Sequence, residues 1–312
     1  MIQTLWNEGG PSGLGYSEIE AYLRCPKEYQ YGKVRGILPW TDSMPDYFAV
    51  GSFLHAGRAR WFAQQFKQDD ATWQMMRDDI TKVRSEFTLP CSDLAEKQAL
   101  VYLQEYVAHW SVRPLPSIVA VEHMLGPTNL EEADPATVRT ARLDDFGFYP
   151  EAGGRLAIGE CKTTSAAISD VANQYALHGQ PVLQRLLWDA APQGEAMHGP
   201  VAGMILDVIQ KGTGGKRCQF ARMFIPVNER VLDWGQDTLV AALVAKSYMT
   251  AESEPIRRIT SCTRLIGRAR VACPYLPLCE HGKAGASGFV TEDGKPLDQW
   301  QPSADQPIPP WE

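Results

Sequence analysis

The stretch TARLDDFGFYPEAGGRLAIGECKTTS, residues 140–165, decides the fold. Residues 138–149 and 155–163 have the composition of β-strands, and the turn-forming sequence PEAGG lies between them. The pattern therefore predicts a β-hairpin whose turn centres on Ala152. In such a hairpin, residues equally distant from Ala152 along the chain lie opposite each other.

This register places Asp144 directly opposite Glu160, with Cβ atoms about 5 Å apart. Two carboxylates at that distance repel each other, and the arrangement is favourable chiefly when a divalent cation lies between them. Lys162 lies two residues after Glu160 and so points to the same face of its strand. Together the three side chains are the parts needed for metal-assisted phosphodiester hydrolysis, although E-x-K on a hairpin is also a common surface ion pair. The same register places Arg142 opposite Lys162, which favours a bulge or an offset.

The rest of the chain places this hairpin in an α/β or α+β protein. Apolar periodicity predicts three helices before the hairpin and two helical regions after it, and β-branched runs predict further strands. The expected helices are 51–67, 71–88, 92–111, 168–190 and 228–251, and the expected strands are 117–125, 201–210 and 218–227.

We expect a single large domain at residues 15–282. It is predicted to contain a helical part at about 17–112 and a core at about 117–250 that carries the hairpin. A cysteine-bearing segment follows at 255–282. We expect residues 1–14 to be flexible and 283–312 to form a Pro/Gly-rich tail.

Composition excludes several classes of protein. The 312 residues are 44% hydrophobic and 21% charged, as in globular proteins. No apolar run is long enough to span a bilayer, and the first residues do not resemble a secretory signal, so we expect a cytoplasmic protein. The net charge of −7 argues against nucleic acid, but residues 211–270 hold eleven Lys/Arg against five Asp/Glu. Such a basic lobe can bind phosphates.

Three cysteines, Cys262, Cys273 and Cys279, lie within eighteen residues of a Pro-containing segment that we expect to be exposed. Clustered thiols in a cytoplasmic protein usually bind a soft metal, either zinc or an iron–sulfur cluster. A fourth ligand is required, and the only neighbouring candidate is His281.

The hairpin resembles that of the PD-(D/E)XK nuclease superfamily, and specifically its RecB-like branch. The family motif is an Asp at the end of one strand and Glu-x-Lys on the next, here Asp144 and Glu160-Cys161-Lys162. The resemblance implies a restriction-endonuclease-like core, a mixed central sheet flanked by helices, with an N-terminal helical region and a C-terminal cysteine-rich segment. It also implies that His55, in VGSFLHAGRARWF, helps to hold the metal.

The resemblance suggests further site residues. A glutamine helix follows the Glu-x-Lys strand in the family, and Gln180 fits that position, with Gln174-Tyr175 as a rival. The backbone carbonyl of Cys161 is implied as a metal ligand. A role for Glu122 is also suggested, although a carboxylate at a strand edge explains that residue equally well.

Iron–sulfur members of the branch carry one cysteine in an N-terminal Y-x-x-C-P context and three near the C-terminus. Cys25, in AYLRCPKEY, matches the first, and Cys273 and Cys279 have the family's five-residue gap. The resemblance therefore implies a 4Fe-4S cluster on Cys25, Cys262, Cys273 and Cys279. Cys262 and Cys273 lie farther apart than is usual, which leaves zinc open. We assign the remaining cysteines to packing: Cys91, Cys161 and Cys218.

The function implied is an Mg²⁺- or Mn²⁺-dependent deoxyribonuclease, and more specifically an exonuclease on single-stranded DNA or DNA ends. A helicase or another recombination, CRISPR or phage replication protein is an expected partner. Two alternatives stay open. One is a non-catalytic DNA-binding or assembly module with the same fold, and the other is a zinc-stapled structural protein.

Overall fold

The computed structural model describes residues 15–39, 43–87, 89–130, 137–175, 178–212, 217–250, 253, 263–266, 269–291 and 296–299. The helices are α1 (Tyr16–Arg24), α2 (Pro26–Tyr29), α3 (Asp46–Ala63), α4 (Asp70–Glu86), α5 (Asp93–Trp110), α6 (Ile168–Tyr175), α7 (Gly179–Ala190), α8 (Glu195–His198), α9 (Glu229–Ser247) and α10 (Leu276–His281). The strands are β1 (Leu38–Pro39), β2 (Ser117–Asn129), β3 (Val138–Tyr149), β4 (Arg155–Thr164), β5 (Met204–Gln210), β6 (Gln219–Ile225), β7 (Thr263–Ile266), β8 (Ala269–Ala272) and β9 (Phe289–Val290).

The chain separates into two compact units. The described residues of Asp42–Asp237 form the first, and those of Gly15–Thr41 and Thr238–Glu312 form the second. The predicted single domain at 15–282 and the predicted tail stay predictions. Among the helices of the described ranges, none is both long and apolar enough to cross a membrane.

The first unit is built on a five-stranded sheet of order β2-β3-β4-β5-β6. Strands β4 and β5 are parallel, and the other neighbours are antiparallel. A parallel pair needs a crossover connection, which α6 and α7 provide. The sheet confirms the predicted mixed α/β core flanked by helices.

Helices cover both faces of this sheet. Ala157, Cys161 and Ile205 belong to the apolar core that α3, α4 and α5 form on one face. Leu206 and Val208 pack with residues of α6 on the other. Because successive side chains of a strand alternate between faces, β5 contributes to both cores.

The β3–β4 hairpin has the predicted register. Its pairs run from Tyr149 with Arg155 to Asp145 with Gly159, all equally distant from Ala152. Pairing between β3 and β4 ends at Asp145 and Gly159, so the neighbouring residue Asp144 lies just outside the ladder. Arg142 lies beyond the end of this ladder, so it is not paired with Lys162. The expected conflict of two cations is therefore avoided because β3 and β4 stop pairing at this point.

The second unit joins segments from both ends of the chain in its own apolar core, which includes Tyr31, Cys273 and Tyr275. The Tyr275 hydroxyl donates to the backbone carbonyl of Ile37 at 2.9 Å, and the rings of Tyr31 and Tyr275 lie 5.9 Å apart. Two residues of the predicted tail, Phe289 and Leu297, are buried in the same core.

Candidate active site

Asp144 lies where the hairpin ladder ends. The backbone N–H of Cys161 donates to its Oδ2 at 2.7 Å, so a carboxylate occupies the place that a strand carbonyl would otherwise take. The Asp144 side chain is 13% exposed. This hydrogen bond holds Asp144 beside the segment of β4 that carries Glu160 and Lys162.

Glu160 is almost fully buried and has a partner on each oxygen. Lys162 Nζ lies 2.5 Å from Oε1, and the Gln184 amide donates to Oε2 at 2.9 Å. Burial opposes the charge of Lys162, but Glu160, Tyr175 and Asp144 outweigh it, so the pKa of Lys162 lies well above its usual value. The lysine is thus an ammonium that interacts with both acidic residues of the motif.

His55 reaches the same place from α3. Its Nδ1 lies 3.4 Å from Asp144 Oδ2. Burial lowers the pKa of His55, yet the charge and hydrogen bond of Asp144 outweigh burial and raise it overall. The structure therefore brings together His55, Asp144, Glu160 and Lys162, and we call this group the hairpin site.

Glu122 adds a further carboxylate near the hairpin site. It lies on β2 between the pairs Val121–Asp145 and His123–Leu143, and so opposite Asp144. Its φ of 51° is in the left-handed region, which is unusual for a residue other than glycine. Burial, assisted by the charge of Asp144, raises the pKa of Glu122 to about 7, although its carboxylate lies 3.1 Å from Arg142 Nε.

The amide that contacts Glu160 belongs to Gln184, whereas the catalytic role of Gln180 stays a prediction. Both lie on α7, but Gln184 is one turn farther along, where the helix faces the sheet and the side chain is buried. Gln180 lies in the first turn and accepts a hydrogen bond from Tyr175 at 3.2 Å. The Tyr175 ring in turn lies 5.6 Å from Lys162 Nζ, so Tyr175 lies between Gln180 and the hairpin site.

The hairpin site has the chemistry of a divalent metal site. Two carboxylates and an imidazole are ligands for Mg²⁺ or Mn²⁺. Among the described residues, however, no group of three or more His, Cys, Asp or Glu side chains is arranged to hold a metal. In this arrangement the contacts of Lys162 and Gln184 occupy both oxygens of Glu160.

A second set of charged residues lies on the opposite face of the same strands and was not predicted. Arg58 donates to Asp145 at 2.7 Å and to Asp207 at 3.2 Å. Arg222 donates to Asp207 at 3.1 Å, and the Tyr106 hydroxyl also donates to Asp207. All five side chains are buried, and we call them the buried ion network.

The buried ion network is joined to the hairpin site through the backbone. Arg58 follows His55 by one turn of α3, and Asp145 follows Asp144 on β3. Asp207 pairs in register with Cys161, between Glu160 and Lys162. The sequence carries a signal for it, since Arg58 and Asp207 each interrupt an apolar run.

The predicted cluster cysteines that the structure describes lie in the second unit, and Cys262 falls outside the described residues. Cys25 and Cys273 are 5% and 6% exposed, and Cys279 packs at the border of the second core. The expectation that this segment is exposed is therefore wrong for Cys273, which contributes to an apolar core. Arg24 interacts electrostatically with Cys273, so the segments carrying Cys25 and Cys273 are neighbours.

The other cysteines pack as predicted. Cys161 is fully buried in the core of the first unit, and Cys91 and Cys218 pack against it. Burial raises the pKa of the Cys161 thiol well above its usual value. The side chain of Cys161 therefore faces away from the hairpin site, to which only its backbone contributes.

The sequence profile of the PD-(D/E)XK nuclease superfamily matches residues 14–280. A solved structure from Eubacterium rectale, named "Putative exonuclease", is similar with a TM-score of 0.47 and 13% identity, over 82% of this chain and 90% of that one. No curated protein matches. The matched residues include the sheet, the hairpin site and most of both units, and the chain belongs to the PD-(D/E)XK nuclease superfamily.

Proposed function

We propose that this chain is a metal-dependent DNA nuclease that hydrolyses phosphodiester bonds. One observation carries the proposal: Asp144, Glu160 and Lys162 from one hairpin meet His55 from α3 at the end of the β3–β4 ladder. His55 comes from a helix far from the hairpin in sequence, and a surface ion pair between Glu160 and Lys162 would not need it. Membership of a nuclease superfamily supports the same conclusion.

Asp144, Glu160 and His55 would hold Mg²⁺ or Mn²⁺, with the Cys161 carbonyl as a further ligand. When bound, such an ion polarises the scissile phosphate and lowers the pKa of a coordinated water. As an ammonium, Lys162 would orient the attacking water and offset the negative charge that develops on the phosphate. Gln184 fixes the Glu160 carboxylate through its hydrogen bond to Oε2.

The substrate we propose is single-stranded DNA or DNA ends, cut by an exonuclease in the cytoplasm. Of the eleven basic residues at 211–270, Arg222 is buried in the buried ion network and cannot contact DNA. The net charge of −7 makes a purely electrostatic interaction weak. A partner such as a helicase or another recombination, CRISPR or phage replication protein would deliver the strand.

We also propose an iron–sulfur cluster on Cys25, Cys262, Cys273 and Cys279, with zinc as the alternative. The cysteine contexts of the sequence support it, and so does the proximity of the segments around Cys25 and Cys273. The described thiols do not by themselves form a metal-binding group. Iron and zinc analysis of anaerobically purified protein, with absorption near ~400 nm, decides between the two metals.

The nuclease proposal is tested by incubating the protein with end-labelled single- and double-stranded DNA in Mn²⁺, Mg²⁺ or EDTA. We expect cleavage that requires the metal and is lost in Glu160→Ala. DNA that is bound but never cut would indicate a non-catalytic DNA-binding module. If the protein neither binds nor cuts DNA, a structural role would be the better explanation.

A further inference from the structure

Helix α3 exposes two aromatic side chains on its first turn. Tyr47 is 72% exposed and Phe48 is 52% exposed. Large aromatic side chains are normally buried, and an exposed pair beside a functional site is informative. Phe48 leans on Phe87, with ring centroids 6.4 Å apart, so its ring has a fixed support.

These aromatics lie on the stripe of α3 that leads to the hairpin site. Tyr47, Gly51 and His55 are spaced by four residues each and therefore share one face of the helix. From Tyr47 to His55 the helix rises about 12 Å, the length of about three stacked nucleotides. A strand whose phosphate lies at the hairpin site would therefore have a base within reach of Tyr47.

Gly51 has no side chain, so no bulky group stands on the helix face between Tyr47 and His55. A Cβ at Gly51 would lie 3.2 Å from the Thr163 hydroxyl, next to Lys162 on β4. The first turn of α3, which carries Tyr47 and Phe48, also contacts the residue that follows β5, because Lys211 Nζ donates to the Tyr47 carbonyl at 3.3 Å. The surface between Tyr47 and His55 is thus continuous with the end of β4.

The charges near Tyr47 and Phe48 favour contact with DNA bases over contact with DNA phosphates. Asp46 lies at the start of α3 and Lys211 contacts its first turn, so the two charges oppose each other. Base–aromatic stacking does not require a positive surface, and it tolerates any base sequence. The protein as a whole is acidic, which makes stacking the more effective source of affinity for a single strand.

Building on the proposed nuclease function, we propose that Tyr47 and Phe48 form a platform on which unpaired bases of a DNA strand stack while its phosphate occupies the hairpin site. The platform would favour single strands, because bases in a duplex are already stacked and paired. It would act on substrate binding and leave the chemical step unchanged.

The test measures binding of a fluorescently labelled oligo-dT by anisotropy in EDTA, and cleavage of the same strand in Mn²⁺. Tyr47→Ala should weaken binding by roughly five- to a hundred-fold and raise KM, with kcat unchanged. Tyr47→Trp should keep near-normal affinity, since an indole also stacks. Phe148→Ala is the matched control, because Phe148 is also an exposed aromatic but lies toward the turn end of the hairpin.

A strand with abasic positions separates bases from phosphates. The abasic strand should bind the unmodified protein more weakly than oligo-dT does. Its affinity should fall little further in Tyr47→Ala. The platform would be overturned if Tyr47→Ala lowered the affinity for both strands equally, or if Tyr47→Ala and Phe48→Ala bound oligo-dT as tightly as the unmodified protein. It would also be overturned if the unmodified protein did not bind oligo-dT. Binding that depends on Tyr47 without any cleavage would support the platform and refute the nuclease.

Discussion

Asp144 and Asp145 are neighbours on β3, yet they belong to two different regions of the molecule. Asp144 is in the hairpin site, where His55 and Lys162 are each about one-third exposed. Asp145 is in the buried ion network, where Arg58 and Asp207 have almost no exposed surface. Both regions are made of carboxylates and cations, so residue type alone does not distinguish them.

The two regions differ in what their charges can contact. In the buried ion network, both aspartates receive a guanidinium and a tyrosine hydroxyl, and water cannot replace a lost partner. In the hairpin site, part of each of three side chains is open to solvent and can contact a metal or a phosphate. One face of the hairpin strands thus fixes the architecture, and the other carries the chemistry.

The largest expected effect is on activity in the hairpin site. Glu160→Ala or Asp144→Ala should lower cleavage by about a thousand-fold or more, because a bound metal contributes several kcal/mol to the reaction. Stability should fall less than in the buried ion network, because His55 and Lys162, which would lose a partner, are each about one-third exposed and water can replace it. Initial rates on labelled DNA and circular dichroism measure both effects, with Asp170→Ala on the exposed side of α6 as control. Full activity in Glu160→Ala would refute the mechanism.

In the buried ion network the effect should fall on stability. Asp207→Ala leaves Arg58 and Arg222 without their shared carboxylate, which should lower the free energy of unfolding by about 3–5 kcal/mol. Urea unfolding of Asp207→Ala beside Glu160→Ala compares the two regions directly. If both variants unfold at the same urea concentration as the unmodified protein, the distinction between the regions is wrong.

Local patterns predicted the hairpin well. The turn at Ala152 fixed which residues face each other, and the paired register agrees with it. The order of helices and strands also followed from periodicity, because each element buries one stripe or face. The meeting of Asp144, Glu160 and Lys162 needed only the hairpin, and His55 was found by family resemblance.

The buried ion network could not be predicted in the same way. Its partners are separated by 87 residues between Arg58 and Asp145 and by 149 between Arg58 and Asp207. No local period relates such positions. A charged residue within an apolar run indicates that a buried partner exists, because an unpaired buried charge is too costly, but it does not identify that partner.

Lys162 belongs to the hairpin site, but its effect should be smaller than that of a metal ligand. Lys162→Ala should lower kcat by about a hundred-fold, the usual cost of losing one group that stabilises the transition state. DNA affinity should change little, because one lysine is a small share of the phosphate contacts. Single-turnover rates and anisotropy separate the two quantities, with the exposed Lys82→Ala as control. Equal losses in rate and affinity would indicate a binding role.

The smallest expected effect distinguishes the two glutamines of α7. Gln184→Ala removes the 2.9 Å hydrogen bond that fixes Glu160, and a lost hydrogen bond to a charged group should lower kcat/KM by about ten-fold. Gln180→Ala removes only the contact with the Tyr175 hydroxyl and should change kcat/KM by less than about three-fold. Gln184→Glu keeps the shape but places a second carboxylate against Glu160, so its loss should exceed that of Gln184→Ala. If Gln180→Ala lowers kcat/KM more than Gln184→Ala does, the catalytic amide is Gln180, as the sequence pattern predicted. The first turn of α7 must then move toward Glu160 when substrate binds.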